Sequence, residues 1–460
     1  MYLPNFKNKK IAILGYGREG KSLRHFLSGE GIEATILDRD ENLVIDTSVI
    51  RSLTSTISQA GESARREGEA RSVSTLGVQY LGNLDNFDLV FRSPGVPRLT
   101  PELLAAEKKG VEISSATKLF FDLCPCPIVG VTGTKGKGTT ASLIYEILKK
   151  QFQISNDKLQ KKIKSQILNK KVYLGGNIGN PVIDFLPKLK PEALVILELS
   201  SFQLQDLRKS PHIAVVLDIF VDHLDHHKTK EEYQTAKESI VKYQNEEDLA
   251  VLYKNSDSVK KISKNIKAKT IWFTKYEGKI KLLGEHNLIN AEAARVTASL
   301  LGVRDSVSKA VIEKFKGLPH RLEFVKNVNG VTYYNDSQST ISETAIAAID
   351  SFQKPKILIL GGSEKGLEYA GLARKIVNSD VKAVILVGEA GKRIEKELKN
   401  QKYKGSIKSN LKTMKEMVEN AAEAAESGDV VLLSPAAASF GTFKSYEDRG
   451  DQFKAVVKGL

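Results

Sequence analysis

The stretch Gly130-Val-Thr-Gly-Thr-Lys-Gly-Lys-Gly-Thr-Thr140 gathers glycines, lysines and hydroxyls within a few consecutive residues. Glycines let backbone N–H groups close around phosphate oxygens, and a helix starting at the end of such a loop adds partial positive charge. The flanks fit that picture: Ile128 and Val129 read as a strand and Ala141 to Leu148 as a helix. Gly133, Thr134, Lys135, Gly136, Lys137, Gly138, Thr139 and Thr140 therefore form a candidate cradle for a nucleoside triphosphate. Lys137 would neutralise the terminal phosphates, and Thr139 or Thr140 would offer a hydroxyl to Mg2+. The spacing is shorter than Gly-x-x-x-x-Gly-Lys-Ser/Thr, and Gly138 stands where a hydroxyl usually follows the lysine.

Four more residues carry candidate chemistry. Glu198 closes the apolar run Leu194 to Leu197, where a nucleotide enzyme places its metal-holding carboxylate; a solvent-facing strand-end glutamate has the same local sequence. His223, in Asp222-His-Leu-Asp225, reads either as a metal ligand or substrate contact or as a structural histidine. Asp336, in Asn335-Asp-Ser-Gln-Ser-Thr340, suits a ribose hydroxyl, a metal site or a plain turn. Lys365, in Gly361-Gly-Ser-Glu-Lys-Gly366, suits an anionic substrate group or a solvated loop. Jointly they come from strand ends in the second and third of three segments, as expected where a nucleotide, a metal and two substrates meet in a cleft.

The elements that must position these residues read as three α/β segments. The first opens with Ile11 to Leu14, then Gly15-Tyr-Gly17-Arg-Glu-Gly20, a helix from Lys21, and a strand Ala34 to Leu37 ending at Asp38. That is a Gly-x-Gly-x-x-Gly turn with an acid about 20 residues on. Ser55 to Ser74 reads as a polar loop or insertion, and Leu89 to Phe91 runs into the turn Ser93-Pro-Gly95. The second segment adds strands Val172 to Leu174, Leu194 to Leu197 and Ala214 to Leu217. The third begins near Leu318, with strands Val331 to Tyr334, Ile357 to Leu360, Ala383 to Val387 and Val430 to Leu433, and closes with a helix from about Asp448. Alternating strands and helices predict mainly parallel sheets.

Composition limits the options. At 460 residues the chain is long enough for two or three domains. No apolar run reaches membrane-spanning length and the N-terminal MYLPNFKNKK lacks a signal-peptide core, so a cytoplasmic address is expected. The net charge of +14 fits a lysine-rich surface bias best and is compatible with nucleic acid or a polyanionic small substrate. The lysines are scattered, with one denser run at Lys158 to Lys171, and few aromatics interleave with them, which disfavours a single-strand binder. Cys124 and Cys126, in Cys-Pro-Cys-Pro, are too few for a structural zinc site and too close in sequence for a normal disulfide; they read as linker residues.

Taken in order, these motifs make the chain resemble the Mur ligase family. The resemblance rests on Gly133-Thr-Lys-Gly-Lys137, Glu198-Leu-Ser-Ser-Phe-Gln203, Asp222-His-Leu-Asp225 and Gly284-Glu-His-Asn-Leu-Ile-Asn290. It continues through Leu318-Pro-His-Arg321, Asn335-Asp-Ser337, Gly361-Gly362 with Lys365, Leu433-Ser-Pro-Ala-Ala-Ala-Ser439 and Phe443-Lys-Ser-Tyr-Glu-Asp-Arg-Gly450. The final pair, with the N-terminal Gly-x-Gly-x-x-Gly and Ser-Pro-Gly, looks most like the D-glutamate-adding branch.

The resemblance implies an α/β fold of three domains: a Rossmann-like domain for the uridine nucleotide (1–126), a P-loop ATPase-like parallel-sheet domain (127–318) and a Rossmann-like α/β domain (319–460). It implies ATP-dependent amide formation in peptidoglycan precursor synthesis. The alanyl carboxylate of UDP-MurNAc-L-alanine becomes an acyl phosphate, and the amine of D-glutamate displaces the phosphate. ATP and two Mg2+ ions are the implied cofactors, and a monomer the implied state.

Residue by residue, Lys137 would contact phosphates, Thr139 and Glu198 one Mg2+, and His223 a second. Lys237, in Tyr-Gln-Thr-Ala-Lys, matches the lysine that the family carbamylates to make a metal-binding carboxylate. Asn290, Arg321 and Asp336 would bind the ATP base and ribose. Gly15, Arg18, Asp38 and Gly95 would hold the uridine diphosphate, with Asn177, Ser200 and Gln203 near the muramoyl-alanine. Thr340, Lys365, Ser439 and Tyr446 would bind D-glutamate.

Two positions depart from the family pattern: Gln338 replaces a lysine and Ile341 an asparagine, which removes one positive charge near the acidic substrate. The nearest rival is a sister Mur ligase adding another amino acid. A folate polyglutamate ligase lacks a domain before the phosphate loop. An NAD-dependent oxidoreductase would leave that loop unused, and a nucleic-acid binder would explain the charge alone.

Overall fold

A computed structural model describes residues 6, 8–43, 45, 74–77, 79–155, 171–220, 227, 229–363, 367–439 and 443–460. The chain folds as two compact units, Met1–Lys279 with His286–Glu313, and Ile280–Glu285 with Lys314–Leu460.

The first unit holds two sheets, both all-parallel among the described residues. In the first, β1 (Ile11–Leu14), β2 (Thr35–Asp38), β3 (Ser74–Leu76), β4 (Leu89–Arg92) and β5 (Glu112–Ser114) lie in the order β3-β2-β1-β4-β5. Strand order reverses between β1 and β4, so the turns after these strands, at Gly15 and Ser93, flank the crevice where doubly wound sheets bind ligands. The Ser93 hydroxyl donates to Gly15 O at 2.6 Å and pins the two turns together.

The second sheet takes β6 (Ile128–Thr132), β7 (Val172–Gly176), β8 (Leu194–Glu198), β9 (Ile213–Val216), β10 (Leu249–Tyr253) and β11 (Lys269–Phe273) in the order β11-β10-β9-β6-β8-β7. Central strands covered on both faces are continuous apolar runs, and β6, β8 and β9 are buried throughout. One core serves both sheets. Phe120, on the helix Ala116–Leu123, packs edge-on against Phe185 of the helix Val182–Phe185, with centroids 5.5 Å apart.

The second unit has β12 (Glu323–Val328), β13 (Val331–Asn335), β14 (Lys356–Gly361), β15 (Val381–Val387), β16 (Ser406–Lys408) and β17 (Val430–Leu433), ordered β12-β13-β17-β14-β15-β16. This sheet is mixed: β12 runs antiparallel to β13, and the other pairs are parallel. Val328 faces Val331 across the two-residue loop Asn329-Gly330, whose φ values of 49° and 85° suit Asn-Gly and match a hairpin turn. Among the described strands, that hairpin departs from the mainly parallel expectation.

Beyond the strands marked by apolar runs, the structure adds β3, β5, β10, β11, β12 and β16. Five of these are sheet edges, where a strand needs few apolar residues. The helix after the phosphate loop is Lys137–Ser155, four residues earlier at its start than the apolar periodicity indicates, because the first turn belongs to the loop. The polar stretch 55–73 and the basic run 158–170 lie outside the described residues; Ser74 opens β3, and Lys171 is exposed.

Candidate functional site

The phosphate loop joins β6 to the helix Lys137–Ser155, which makes Lys137 the first helical residue. Gly136 has φ +85°, and a Cβ there would run into the carboxamide of Asn290, so only glycine lets the loop lie against the helix His286–Leu300. Asn290 is buried beneath the turn and donates to Asn287 Oδ1 at 2.8 Å. Thr134 fastens the loop to the chain after β9: its N–H donates to Asp218 O at 2.8 Å, and its Oγ1 accepts from Phe220 N–H at 3.0 Å. Lys135 Nζ lies 5.7 Å over the Phe220 ring.

Two ammonium groups meet on the loop backbone. Lys137 Nζ donates to Gly133 O and Thr134 O, both at 3.0 Å. Lys237, 1% exposed, donates to Gly133 O at 2.9 Å and to Thr132 Oγ1 at 3.4 Å. Its Nζ also sits 4.7 Å over the Tyr233 ring, and the Tyr233 hydroxyl is 3.1 Å from Thr134 Oγ1. Tyr233 and Lys237 are four residues apart on the helix Lys230–Lys242, so they share a face. Tyr233 is a residue sequence reasoning missed, although this spacing was there to read.

Glu198 lies level with Val131 on the neighbouring strand, at the carboxyl edge of the second sheet. Its Oε1 accepts from Asn177 Nδ2 at 3.2 Å, while its buried Oε2 has no hydrogen-bond partner among the described residues. Thr140 Oγ1 is likewise buried without one, and Thr139 is 7% exposed. Buried carboxylate oxygens are rarely left unsatisfied, and an oxygen-seeking cation fits this donor set.

At the first sheet, the carboxylate of Asp38 accepts from Tyr16 N–H at 2.5 Å and from Asp40 N–H at 2.9 Å, which shapes the glycine turn around Gly15. Arg18 opens the helix Arg18–Gly29 and is exposed, as is Gly95. The turn after β8 is a capping box: Ser200 Oγ accepts from Gln203 N–H, and Gln203 Oε1 accepts from Ser200 N–H at 3.1 Å. Gln203 Nε2 then donates to Glu19 Oε1 at 2.9 Å, so the carboxamide ties the glycine turn of the first sheet to the edge of the second. Burial pushes the Glu19 carboxyl above its ordinary pKa. Nearby, Arg92 and Asp206, both buried, form an ion pair at 2.6 Å, and Arg92 also donates to Phe202 O at 2.8 Å. His227, fully buried, stacks on Phe202 with centroids 5.2 Å apart, its Nε2 2.9 Å from Ser201 Oγ. Glu19 and His227 carried no motif signal of their own.

In the second unit, strand ends bury charge. Asp336 follows β13; its Oδ2 accepts from Ser434 Oγ at 2.8 Å and its Oδ1 from Leu322 N–H at 3.1 Å. Burial raises its pKa from 3.8 to about 7. Arg449, 1% exposed, donates to Ser337 Oγ and Ser337 O at 2.9 Å and to Ala437 O at 3.2 Å, and burial lowers its pKa to about 10. The Arg449 side chain thereby joins the turn after β13 to the turn after β17; it lay inside a quoted motif without a role. Arg321 Nε donates to Gln338 Oε1 at 3.1 Å, a contact that a lysine at 338 could not make. Ser439 is buried, Thr340 is half-buried, and the half-buried Tyr446 accepts from Ser337 Oγ through its carbonyl at 2.8 Å. Ile341, with no polar side chain to offer, precedes the helix Ser342–Asp350 uncapped.

The structure thus gathers Gly133 to Thr140, Lys237 and Asn290 at one loop and Asn177, Glu198, Ser200 and Gln203 at one sheet edge of the first unit, with Arg321 and Asp336 in the second. His223 and Lys365 lie outside the described residues.

Residues 131–279 match the family model for the Mur ligase middle domain, and residues 320–437 that for the Mur ligase glutamate ligase domain. A protein of Acetivibrio thermocellus named UDP-N-acetylmuramoylalanine--D-glutamate ligase is 36% identical, over 99% of this chain and 97% of its own length. One of the same name from Symbiobacterium thermophilum is 34% identical over 98% of each chain. Among solved structures, the MurF ligase of Thermotoga maritima in complex with ADP is similar in fold, with a TM-score of 0.55 at 18% identity, covering 99% of this chain and 100% of that one. The UDP-N-acetylmuramate-alanine ligase of the same organism gives 0.54 at 17%, over 98% and 100%.

Proposed function

The chain belongs to the Mur ligase family, and from that premise we infer that it is an ATP-dependent ligase adding D-glutamate to UDP-N-acetylmuramoyl-L-alanine in peptidoglycan precursor synthesis. The observation that carries the reading is the convergence of the Lys137 and Lys237 ammonium groups on Gly133 O, just beyond the strand whose Val131 pairs with Glu198 and its half-satisfied carboxylate.

The chemistry follows from charge. A carboxylate is a poor electrophile until one of its oxygens becomes part of a phosphate leaving group. Transfer of the γ-phosphoryl group to the alanyl carboxylate supplies that, and the D-glutamate amine then attacks the carbonyl carbon and releases phosphate. Both steps build negative charge, which preorganised cations stabilise. Lys137, at a helix N-terminus, exchanges its bonds to Gly133 O and Thr134 O for phosphate oxygens. Glu198 and Thr139 hold Mg2+, with His223 at a second ion; Mg2+ supplies further charge compensation. Carbamylation of Lys237 would place a carboxylate where its ammonium now lies. Asn290, Arg321 and Asp336 take the adenosine end, and Thr340, Lys365, Ser439 and Tyr446 the D-glutamate. Gly15, Arg18, Asp38 and Gly95 hold the uridine diphosphate, with Asn177, Ser200 and Gln203 near the muramoyl-alanine. Residues 1–126, 127–318 and 319–460 act as three functional domains of a cytoplasmic monomer.

The test is phosphate release with ATP, Mg2+ and UDP-MurNAc-L-alanine, comparing D-glutamate with L-glutamate, D-aspartate and diaminopimelate. Turnover that requires D-glutamate is expected. Turnover with another amino acid would keep the ligase chemistry and move specificity to Gln338 and Ile341. Absence of turnover with all four, from protein that still binds ATP, would overturn the acceptor.

A further inference from the structure

Two thiols that the ligase chemistry does not use lie in sulfur–sulfur contact. Cys124 follows the helix Ala116–Leu123, and Cys126 stands two residues on, with Pro125 between them and Pro127 after. Spacing alone argues against a disulfide, since a fully extended chain separates such residues by about 7 Å, the outer limit for a bridge. The fold changes that. Cys124 N–H still donates to Phe120 O at 2.8 Å, and φ −64° with ψ 119° places Cys124 in the polyproline region, so the backbone turns off the helix instead of zigzagging. Both sulfurs end on one side of the chain. Cys124 Sγ lies 3.6 Å from Cys126 Sγ and 3.4 Å from Cys126 O. Closing to the bonded distance of about 2.05 Å asks for a movement of about 1.6 Å, within reach of side-chain rotation.

The two thiols are not equivalent. Cys126 is 4% exposed and packs in the core shared by the two sheets, whereas Cys124 is only half-buried. The chain beyond Cys126 is anchored: Pro127 O accepts from Val195 N–H at 3.1 Å, and Ile128 N–H donates to His212 Nδ1 at 3.1 Å. Cys124 is therefore the thiol that meets a reagent and moves, and Cys126 the one that resolves. The hydrogen bond with Cys126 also holds the Cys124 thiol below the ordinary thiol pKa, which favours its nucleophilic form.

We propose that Cys124 and Cys126 are a modification site, a dithiol that peroxide converts reversibly into an intramolecular disulfide. The Cys124 thiolate attacks a peroxide oxygen; the O–O bond breaks and, with one proton taken up, Cys124 becomes a sulfenic acid and hydroxide leaves as water. The Cys126 sulfur then attacks the Cys124 sulfur, the S–OH bond breaks, and the thiol proton leaves with the hydroxyl as a second water. In sum the dithiol gives up two electrons and two protons, and one peroxide becomes two waters. A dithiol reductant reverses the change by thiol–disulfide exchange. The site closes the joint between the last helix of the first sheet and β6, the strand that leads into the phosphate loop.

The experiment is mass spectrometry of the full-length protein after brief hydrogen peroxide treatment, with free thiols blocked before digestion. The expected result is a peptide carrying both cysteines that has lost about 2 Da, is not alkylated, and regains two alkylatable thiols with dithiothreitol. In Cys126→Ser a sulfenic-acid trap should label Cys124, and in Cys124→Ser the same dose should leave Cys126 unlabelled. Two alkylatable thiols persisting after peroxide would overturn the proposal, as would added oxygen without loss of hydrogen or a linkage between two chains. Equal labelling of Cys126 in Cys124→Ser would overturn the assigned order of attack. The central measurement is made on the unaltered protein, so no variant has to fold for the proposal to fail.

Discussion

The phosphate loop of the first unit and the strand ends of the second handle charge in opposite ways. At the loop, two ammonium groups rest on backbone carbonyls, Lys137 and Lys237 both on Gly133 O. Those carbonyls are weak partners for a full charge, and an anion would compete for the lysines at once. At the strand ends of the second unit, charge is locked inside the protein. Arg449 spends its guanidinium on Ser337 and Ala437, and Asp336 accepts from Ser434 and Leu322. The difference separates charge that is open to exchange from charge already committed to protein partners. Lys137, only part-buried, can exchange its carbonyls for a ligand, whereas a fully buried ion meeting neutral partners, such as Arg449, is held at a cost in folding energy.

The sharpest way to break this comparison is Lys137→Ala. If the lysine works for the ligand, turnover in the phosphate-release assay should fall by about 10³-fold, the scale of losing a preorganised charge, while the unfolding free energy from urea titration stays within about 1 kcal/mol of the parent. A large loss of stability with retained turnover would place Lys137 with the fold and undo the contrast.

Asp336 tests the other side. Its folded-state pKa, about 7, lies above the unfolded value near 3.8. Between those values the native state binds more protons than the unfolded state, so this group's contribution is fully present below about pH 4 and is lost as pH rises through 7. Subtracting the urea stability of Asp336→Asn from that of the parent isolates the effect. The difference should fall by on the order of 3 kcal/mol from pH 4 to pH 8 and then level off. A difference that is flat with pH would mean that the carboxylate is ionised throughout. Arg449→Met comes next in size, with a destabilisation of about 2–3 kcal/mol as Ser337 O and Ala437 O lose their donor. Arg449→Lys should not restore it, because one ammonium cannot bridge both turns as the planar fork does. Full rescue by lysine would show that charge, and not the fork, is what matters.

The same contrast explains what the sequence made legible. The ligand-facing parts sit where chain order forces them: glycines after an apolar strand, a lysine at a helix start, an acid at a strand end. Gly133 to Lys137 and Glu198 could be read directly, and the three sheets followed from apolar runs such as Ile128 to Val131 and Val430 to Leu433. The fold-serving charges depend on partners far along the chain. Arg449 meets Ser337 across 112 residues and Glu19 meets Gln203 across 184, and no local pattern announces either. Two misses were avoidable. Asn329-Gly330 between Val328 and Val331 is a strong hairpin signal, and Leu249 to Tyr253 is as apolar as the strands that were marked. Spacing alone makes Cys124 and Cys126 linker residues, because it says nothing of a backbone that turns; the structure seats Cys126 in the core.

Glu19 gives the smallest and most discriminating effect, because it lies in the first unit yet behaves like the second. Its carboxyl is buried, raised in pKa, and bonded to Gln203, which in turn holds Ser200 by three contacts. It belongs to the helix that opens at the glycine turn of the first sheet, and Ser200 lies two residues beyond Glu198. The bond therefore registers the glycine turn of the first sheet against the edge that holds the candidate metal carboxylate. If that registration matters to the reaction, Glu19→Ala should lower kcat by about 10-fold with little change in KM for ATP, since a small misplacement of reacting groups costs rate before it costs binding. Glu19→Gln keeps an oxygen that can accept from Gln203 Nε2 and should stay within about 3-fold of the parent. A purely structural role would give a lower urea midpoint for Glu19→Ala with unchanged kcat. In that case Glu19 would join Arg449 among the residues of the fold.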